Sequence, residues 1–284
     1  YITYSNLILD ADDRAELLAA DPNAEKWLRP YVGGDELISG RWRWCLWLKD
    51  ADPGELRASA PVMERLERVR RGREQSPTPS VQAYARYPTL FTQDRQPDTE
   101  YLAIPEVSSS ARDYIPMAVL PPDVVASNKL QIIPGASVLY FGILTSMMHM
   151  AWMRTVGGRL KNDYSYAPTI YHSFPWPELT DRSRQRVIDH AQTVLDARQA
   201  FPNNTLEELY DPDAMPPRLV QAHANLDRYV DRLYRSKGFR FERERVEHLF
   251  ELYERNVAGL LANGRSQARR QRSRRHRSGV RSTS

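Results

Sequence analysis

The sequence predicts an α+β protein, with a mixed-sheet domain over residues 1–177 followed by a helical domain over 178–263. Three observations lead there. From Tyr101 to Phe141 short apolar runs alternate with polar turns, the pattern of strands joined by loops. After Phe174-Pro175-Trp176-Pro177 the apolar repeat becomes helical. The chain has 284 residues, 41% of them hydrophobic, enough for two modest domains with a buried core.

Taken in order, Asp10 is placed to cap a helix carrying Leu17 and Leu18. Asp21-Pro22 reads as an N-cap with proline at the first helical position, opening a short helix through Trp27 and Leu28. Gly33-Gly34 reads as a turn. In RWRWCLWLKD, Trp42, Trp44, Leu46 and Leu48 alternate with Arg41, Arg43 and Cys45. That alternation predicts a strand with one buried face, the Trp pair in the core and Cys45 half-buried. One charged helix is expected from Leu56 to Arg73, with Met63, Leu66 and Val69/Arg70 at helical spacing and the Arg/Glu-rich remainder solvated. A Ser/Pro loop, Gln75 to Pro79, follows.

Strands are expected at Tyr101–Ile104, Tyr114–Leu120, Leu130–Ile133 and Val138–Phe141, and a helix at Thr145–Val156 stopped by Gly157-Gly158. The cluster Met147, Met148, Met150 and Met153, with His149 in its midst, reads as core. Further on, Val187, Ala191, Val194 and Leu195 form one helical stripe, capped by Thr180 or Asp181. Thr205 and Glu208 fit a capping box. Leu219, Ala222, Leu226, Tyr229 and Leu233 form a second stripe. Beyond Gly238, a third comprises Val246, Leu249, Phe250, Tyr253 and Val257. The segment 264–284 is Arg/Ser-rich, lacks the apolar residues of a core and is expected to be a disordered basic tail.

Charge points the same way. The sequence pI is about 9.1, yet eight arginines lie in Arg265–Ser284. Without them 32 Lys and Arg face 36 Asp and Glu, so the body carries a net charge of −4. Any basic surface must therefore be local and placed by the fold. No apolar run reaches the roughly 18 residues of a membrane span, and no signal peptide is read. A single cysteine, Cys45, forms no intrachain disulfide and fits a reducing cytoplasm. The six histidines lack metal-ligand spacing, so no metal site is expected. The chain starts at Tyr1 rather than Met and is expected to be a fragment of a longer protein.

The blocks YLAIPEVSSSARDYIP, SNKLQIIP, FGILTSMMHMAWMRTVGGRLKNDYSY and HSFPWPEL carry a resemblance. In order and wording they resemble the target recognition domain of MmeI-like (type IIL) DNA methyltransferases and restriction-modification enzymes, over nearly the whole chain to about Tyr253. The resemblance implies a domain that docks on double-stranded DNA, mostly in the major groove, with the helices as a spacer or brace. It implies a partner methyltransferase domain that moves a methyl group from S-adenosylmethionine to the exocyclic amine of adenine. FPWPEL leading into a helix is also similar to type I specificity subunits, which leaves open a specificity module acting in trans on a separate catalytic chain. A phage-exclusion methyltransferase that marks without cutting is a third class.

Chemistry of its own is not expected in this chain. Holding S-adenosylmethionine takes a Gly-rich turn after a strand, and holding an extruded base takes an Asn/Asp-Pro-Pro-aromatic turn. The two Pro-Pro pairs, Pro121-Pro122 and Pro216-Pro217, lack the flanking residues, and no G-x-G-x-x-G is present. We therefore expect no cofactor on this chain and S-adenosylmethionine in its parent. Sequence reading needs Arg, Lys, Asn and short polar groups on loops fixed by a sheet. The candidates are Ser108, Ser109, Ser110 and Arg112 in one loop, Asn128 and Lys129 in the next turn, and Arg159, Lys161, Asn162, Asp163 and Tyr164 after the Gly-Gly. Arg112 fits two roles, a planar fork for a guanine edge or an ion pair with Asp113 or another carboxylate. Arg159 and Lys161 equally fit cations at a helix C-terminus.

Overall fold

The computed structural model describes residues 6–259; the basic segment 264–284 lies outside them. Its first half opens with β1 (Ile8–Leu9), α1 (Ala11–Ala20), a 3-10 turn at Pro22–Trp27, β2 (Leu28–Val32), α2 (Gly34–Ser39) and β3 (Arg43–Leu46). Local chemistry sets these boundaries. Asp10 accepts from the Asp13 N–H at 2.9 Å and Asp21 from the Asn23 N–H at 3.0 Å. Gly33 caps α2 rather than making a free turn, and its N–H donates to Glu36 at 2.9 Å.

The strand expected from the Trp/Arg alternation is only four residues long, and both of its faces are covered. Cys45 is fully buried, which pushes its thiol up to about 12, and Trp47 is buried too, while Trp42 is exposed. β3 lies between β1 and β2 in the sheet order β1-β3-β2-β7, with β2 and β7 (Val125–Ala126) parallel and the other pairs antiparallel.

The expected single helix is two, α3 (Pro53–Ala58) and α4 (Ala60–Glu74): Ser59 is extended between them, and Pro61, which has no N–H to donate, sits in the first turn of α4. The inward stripe is Val62, Leu66, Val69 and Arg73; Met63 is exposed. Arg73 is not part of a solvated face. Its guanidinium donates to the Tyr84, Tyr87 and Leu90 carbonyls at 3.1, 2.8 and 2.6 Å and holds the segment after α5 (Pro79–Gln82).

Next come β4 (Tyr101–Pro105), β5 (Val107–Ser108), β6 (Ala118–Leu120), β7 and β8 (Leu130–Pro134). β4, buried along its whole length, is the centre of the antiparallel sheet β6-β4-β8. Only the last three residues of the expected Tyr114–Leu120 strand pair in a sheet. The run at Val138–Phe141 is helical, α6 (Val138–Leu144), not a strand. A short, wholly apolar run has no period to distinguish the two states, and here tertiary contact decides. α7 (Met147–Val156) follows, with Met148, His149, Met150 and Met153 all buried.

α7 ends in an extended Gly157 and passes directly into the hairpin β9 (Gly158–Leu160) and β10 (Asp163–Ser165). With β5 these form a third sheet, β5-β10-β9. The remaining elements are α8 (Pro168–Ser173), α9 (Asp181–Gln199), α10 (Leu206–Leu209), α11 (Pro217–Tyr234) and α12 (242–259). Thr180 caps α9, and Thr205 with Glu208 forms the capping box of α10.

While the first sheet packs on smaller clusters, the main hydrophobic cluster joins the sheet β6-β4-β8 and the third sheet to the helices. It runs from Leu102, Ile104 and Met117 through Phe141, Met148 and Trp152 to Val187, Ala191, Leu226 and Leu249. Its tightest seam is Gly142 on α6 against α9, where a Cβ would stand 2.8 Å from the Ala191 Cβ and 2.9 Å from a Val187 methyl. Gly142→Ala is expected to destabilise the protein by about 1–3 kcal/mol through overpacking. The test is a lowered urea midpoint at unchanged m-value; an unchanged midpoint would show that the two helices separate freely.

Candidate nucleic-acid interface

The third sheet gathers the candidate residues. Ser108 on β5 pairs with Tyr164 on β10, and Tyr164 pairs in turn with Arg159 on β9. The loop leaving β5 is pinned to the hairpin where the Ser110 N–H donates to Asp163 Oδ1 at 3.3 Å. Within that loop the Ala111 N–H donates to Ser109 Oγ. The third segment joins through Glu106: its N–H donates to the Lys129 carbonyl at 3.0 Å, its carboxylate meets Lys129 Nζ at 3.1 Å, and its carbonyl accepts from the Tyr166 N–H at 2.7 Å. Three stretches far apart in sequence therefore meet at one edge.

The expected readers divide into supports and presented groups. Ser108 and Tyr164 are buried, since each fills the inward side of its strand, and in this conformation they carry the surface rather than form it. Asp163 is half-buried and spent on the Ser110 amide. Asn128, Lys129, Arg159, Lys161 and Asn162 are exposed, as is Leu160, which carries no polar group and is not a candidate from sequence. Arg159 and Lys161 lie on the hairpin, not in the last turn of α7. The Arg159 guanidinium sits 4.3 Å from the Tyr164 ring centroid and donates to the Asn162 carbonyl at 3.0 Å, so its plane is fixed before any ligand arrives. Lys161 takes φ +56, the left-handed region that a two-residue hairpin needs and that few non-glycine residues occupy.

Arg112 has found a carboxylate, though not its neighbour. Its side chain is 13% exposed and lies 3.9 Å from Glu207 at the head of α10. Asp113 faces Arg154 of α7 instead, and its carbonyl accepts from Arg154 Nη2 at 2.9 Å.

Beneath this surface runs a chain of buried polar groups. Arg198 donates to the Met117 carbonyl and to the Tyr210 hydroxyl, both at 2.7 Å, and stacks on Phe141 and Tyr210. Tyr210 meets His223 Nε2 at 2.8 Å, and His223 stacks on Tyr114 with ring centroids 4.0 Å apart. The Tyr114 hydroxyl donates to Asp227 Oδ2 at 2.6 Å, and the Met147 N–H donates to Asp227 Oδ1 at 2.8 Å. None of His223, Asp227 and Asp231 was read as significant from sequence. Their spacing of four along the flank of the apolar stripe of α11 was the available signal. Burial holds the imidazoles of His223 and His149 neutral, His149 at about 3. His149 is structural, its Nε2 3.0 Å from the Tyr166 hydroxyl. Two hollows of about 330 and 320 Å³ beside Trp47 and Lys49 share no residue with these loops.

Residues 2–178 match the family described as MmeI, target recognition domain, and residues 179–261 match MmeI, C-terminal domain. The chain belongs to the MmeI target recognition domain family. It is 36% identical over 234 residues to DNA methyltransferase A of Bacillus subtilis (strain 168), covering 82% of this chain and 26% of that protein. It is also similar to a solved structure of the Type IIL restriction-modification enzyme MmeI in complex with DNA, with TM-score 0.87 and 39% identity over 90% of this chain and 34% of that one. This member of the MmeI family thus spans about a quarter to a third of the relatives it matches.

Asp227 supplies a titration test of the buried chain. Its carboxyl is pushed up from 3.8 to about 6, chiefly by burial and also by Asp231, against the pull of the Tyr114 hydroxyl, the Met147 N–H and Arg245. A carboxyl whose folded pKa is raised adds stability below its unfolded pKa and loses it as pH rises through the folded value. Relative to Asp227→Asn, the wild type should therefore gain up to about 3 kcal/mol as pH falls from 7 to 4. Urea unfolding across that window measures it; a flat difference would show the carboxyl ionised throughout.

Proposed function

We propose that this chain selects the DNA sequence at which an adenine-N6 methyltransferase of a restriction-modification or phage-defence system acts. The parent enzyme draws its methyl group from S-adenosylmethionine in the cytoplasm, with the catalytic domain fused upstream or supplied in trans. The division of labour falls near residue 177, with 1–177 reading DNA and 178–263 holding the reader in place. One observation carries this reading: in a chain of this family, three polar loops converge on the β5-β10-β9 edge and present Asn128, Lys129, Arg159 and Lys161 to solvent. A relative solved with DNA and a DNA methyltransferase relative support it. The chain carries neither a G-x-G-x-x-G nor an Asn/Asp-Pro-Pro-aromatic turn, so on this proposal methyl transfer falls to the rest of the parent.

Arg159, held flat on Tyr164, suits a bidentate base contact, and Lys161 at the hairpin tip suits a phosphate. In the full-length protein, Arg159→Ala should relax one position of the methylated motif, corresponding to about 1–3 kcal/mol of lost discrimination. Lys161→Ala should weaken binding to all duplexes evenly and reduce the salt slope by about 1. Single-molecule sequencing of methylated DNA and anisotropy titrations read these out. An unchanged motif and unchanged affinity in both variants would remove this hairpin from the DNA interface.

The chain alone should show no heat of binding when titrated with S-adenosylmethionine. Micromolar binding at one site would reveal a cofactor pocket within it.

A further inference from the structure

Asp227 joins two segments that the proposed reading assigns to sequence recognition. It lies on α11, 7% exposed, and its two oxygens are used separately. Oδ2 takes the hydroxyl of Tyr114, two residues beyond Arg112 on the strand of chain leaving the Ser108–Arg112 loop. Oδ1 takes the N–H of Met147, the first residue of α7. The N-cap residue of that helix, Ser146, makes no capping bond of its own and instead donates its hydroxyl to the Ile143 carbonyl at 2.7 Å. A carboxylate borrowed from another helix therefore caps α7, where the helix dipole favours negative charge. From that end α7 runs ten residues, about 15 Å, as a rigid rod into the β9–β10 hairpin.

The carboxylate is itself held. His223, one turn earlier on α11, stacks on the Tyr114 ring, and Asp231, one turn later, is clamped by both Arg245 Nε at 2.9 Å and Nη2 at 2.6 Å from α12. At the far end of α7, Arg154 bonds the Asp113 carbonyl at 2.9 Å and Glu242 at 2.5 Å. The loop and the helix leading to the hairpin are thus tied to each other and to α11.

We propose that Asp227 is a positioning residue for sequence reading: from the interior it fixes the Ser108–Arg112 loop and the β9–β10 hairpin in one relative register without touching DNA. The proposal rests on the function proposed above. It distinguishes two kinds of damage. A residue that only stabilises the fold lowers binding to every duplex in parallel with the melting temperature. A positioning residue lowers the ratio of specific to non-specific binding in protein that is still folded.

The experiment uses the full-length protein with Asp227→Asn and Tyr114→Phe. Asparagine keeps one acceptor oxygen for the Met147 N–H but can meet the Tyr114 hydroxyl only as a donor, and it removes the negative charge; phenylalanine removes one hydroxyl and keeps the ring on His223. The probes are a duplex carrying the motif mapped by sequencing wild-type methylated DNA and a scrambled duplex of equal length, titrated well below each variant's melting temperature. Asp227→Asn is expected to lower the motif-to-scrambled affinity ratio at least tenfold while scrambled-duplex affinity changes less than threefold. Tyr114→Phe should lower the ratio in the same direction by a smaller factor, and the double variant should be no worse than Asp227→Asn. If Asp227→Asn fails to fold, Tyr114→Phe decides the matter alone. A preserved ratio, or a parallel loss on both duplexes, overturns the assignment to Asp227. A wild type that shows no motif preference at all overturns the proposed function itself.

Discussion

The arrangement depends on buried polar groups that bond to one another between the sheets and the helices. Arg198 is a buried cation with no carboxylate against it among the described residues; the Met117 carbonyl, the Tyr210 hydroxyl and two aromatic faces hold it. Asp227 is a buried carboxylate that takes a hydroxyl and a helix N–H. Desolvating either group alone costs several kcal/mol, so neither is tolerated unless its partners arrive in the right place. That requirement makes the packing of α9 and α11 on the sheets specific. Apolar contact along the same seam would be satisfied by several sliding positions, whereas these bonds are satisfied by one.

The same logic separates the interior from the surface. A body with more acids than bases offers no general attraction to a polyanion. Several of its cations are neutralised by carboxylates: Arg70 and Arg71 by Glu67, Arg65 by Asp13, Arg245 by Asp231. Arg159 differs in kind. Its bonds are to a ring and a carbonyl, neither of which neutralises it, and Lys161 beside it stands exposed on a strained turn. Local, oriented positive charge on an acidic background concentrates attraction at one edge, and on the proposed reading that edge is where discrimination is exercised.

What was legible in the sequence was what is local. Asp10, Asp21, Thr180 and the Thr205/Glu208 box each act within one helical turn, and each caps the helix expected of it. The stripes of α9 and α11 were legible because burial on one face leaves a period. Val138–Phe141 was misread because a short, wholly apolar segment has none; the close approach of Gly142 to Ala191 and Val187 on α9 appears only in the fold. The break at Ser59 lies in the uncharged stretch Ala58–Met63, where Pro61 was the available signal. Of the site, the loops and their residue types were visible, but their meeting was not. Ser108 and Tyr164 are 56 positions apart in the chain and adjacent in the sheet. No spacing rule reports that Asp227 answers Tyr114 across 113 residues.

The division between a tied interior and a presented tip has a consequence for how such a surface can change. The side chains of Asn128, Lys129, Arg159 and Lys161 are exposed, and their removal leaves no cavity and no buried group without a partner. Exposed positions of this kind tolerate substitution within about 0.5 kcal/mol. Tyr114, Met147 and Asp227 lie in the interior, and on the proposal above changes there act on the Ser108–Arg112 loop and the hairpin together. A fold built this way lets the chemistry at the edge vary one residue at a time, while the geometry that presents it is guarded by interactions too costly to break.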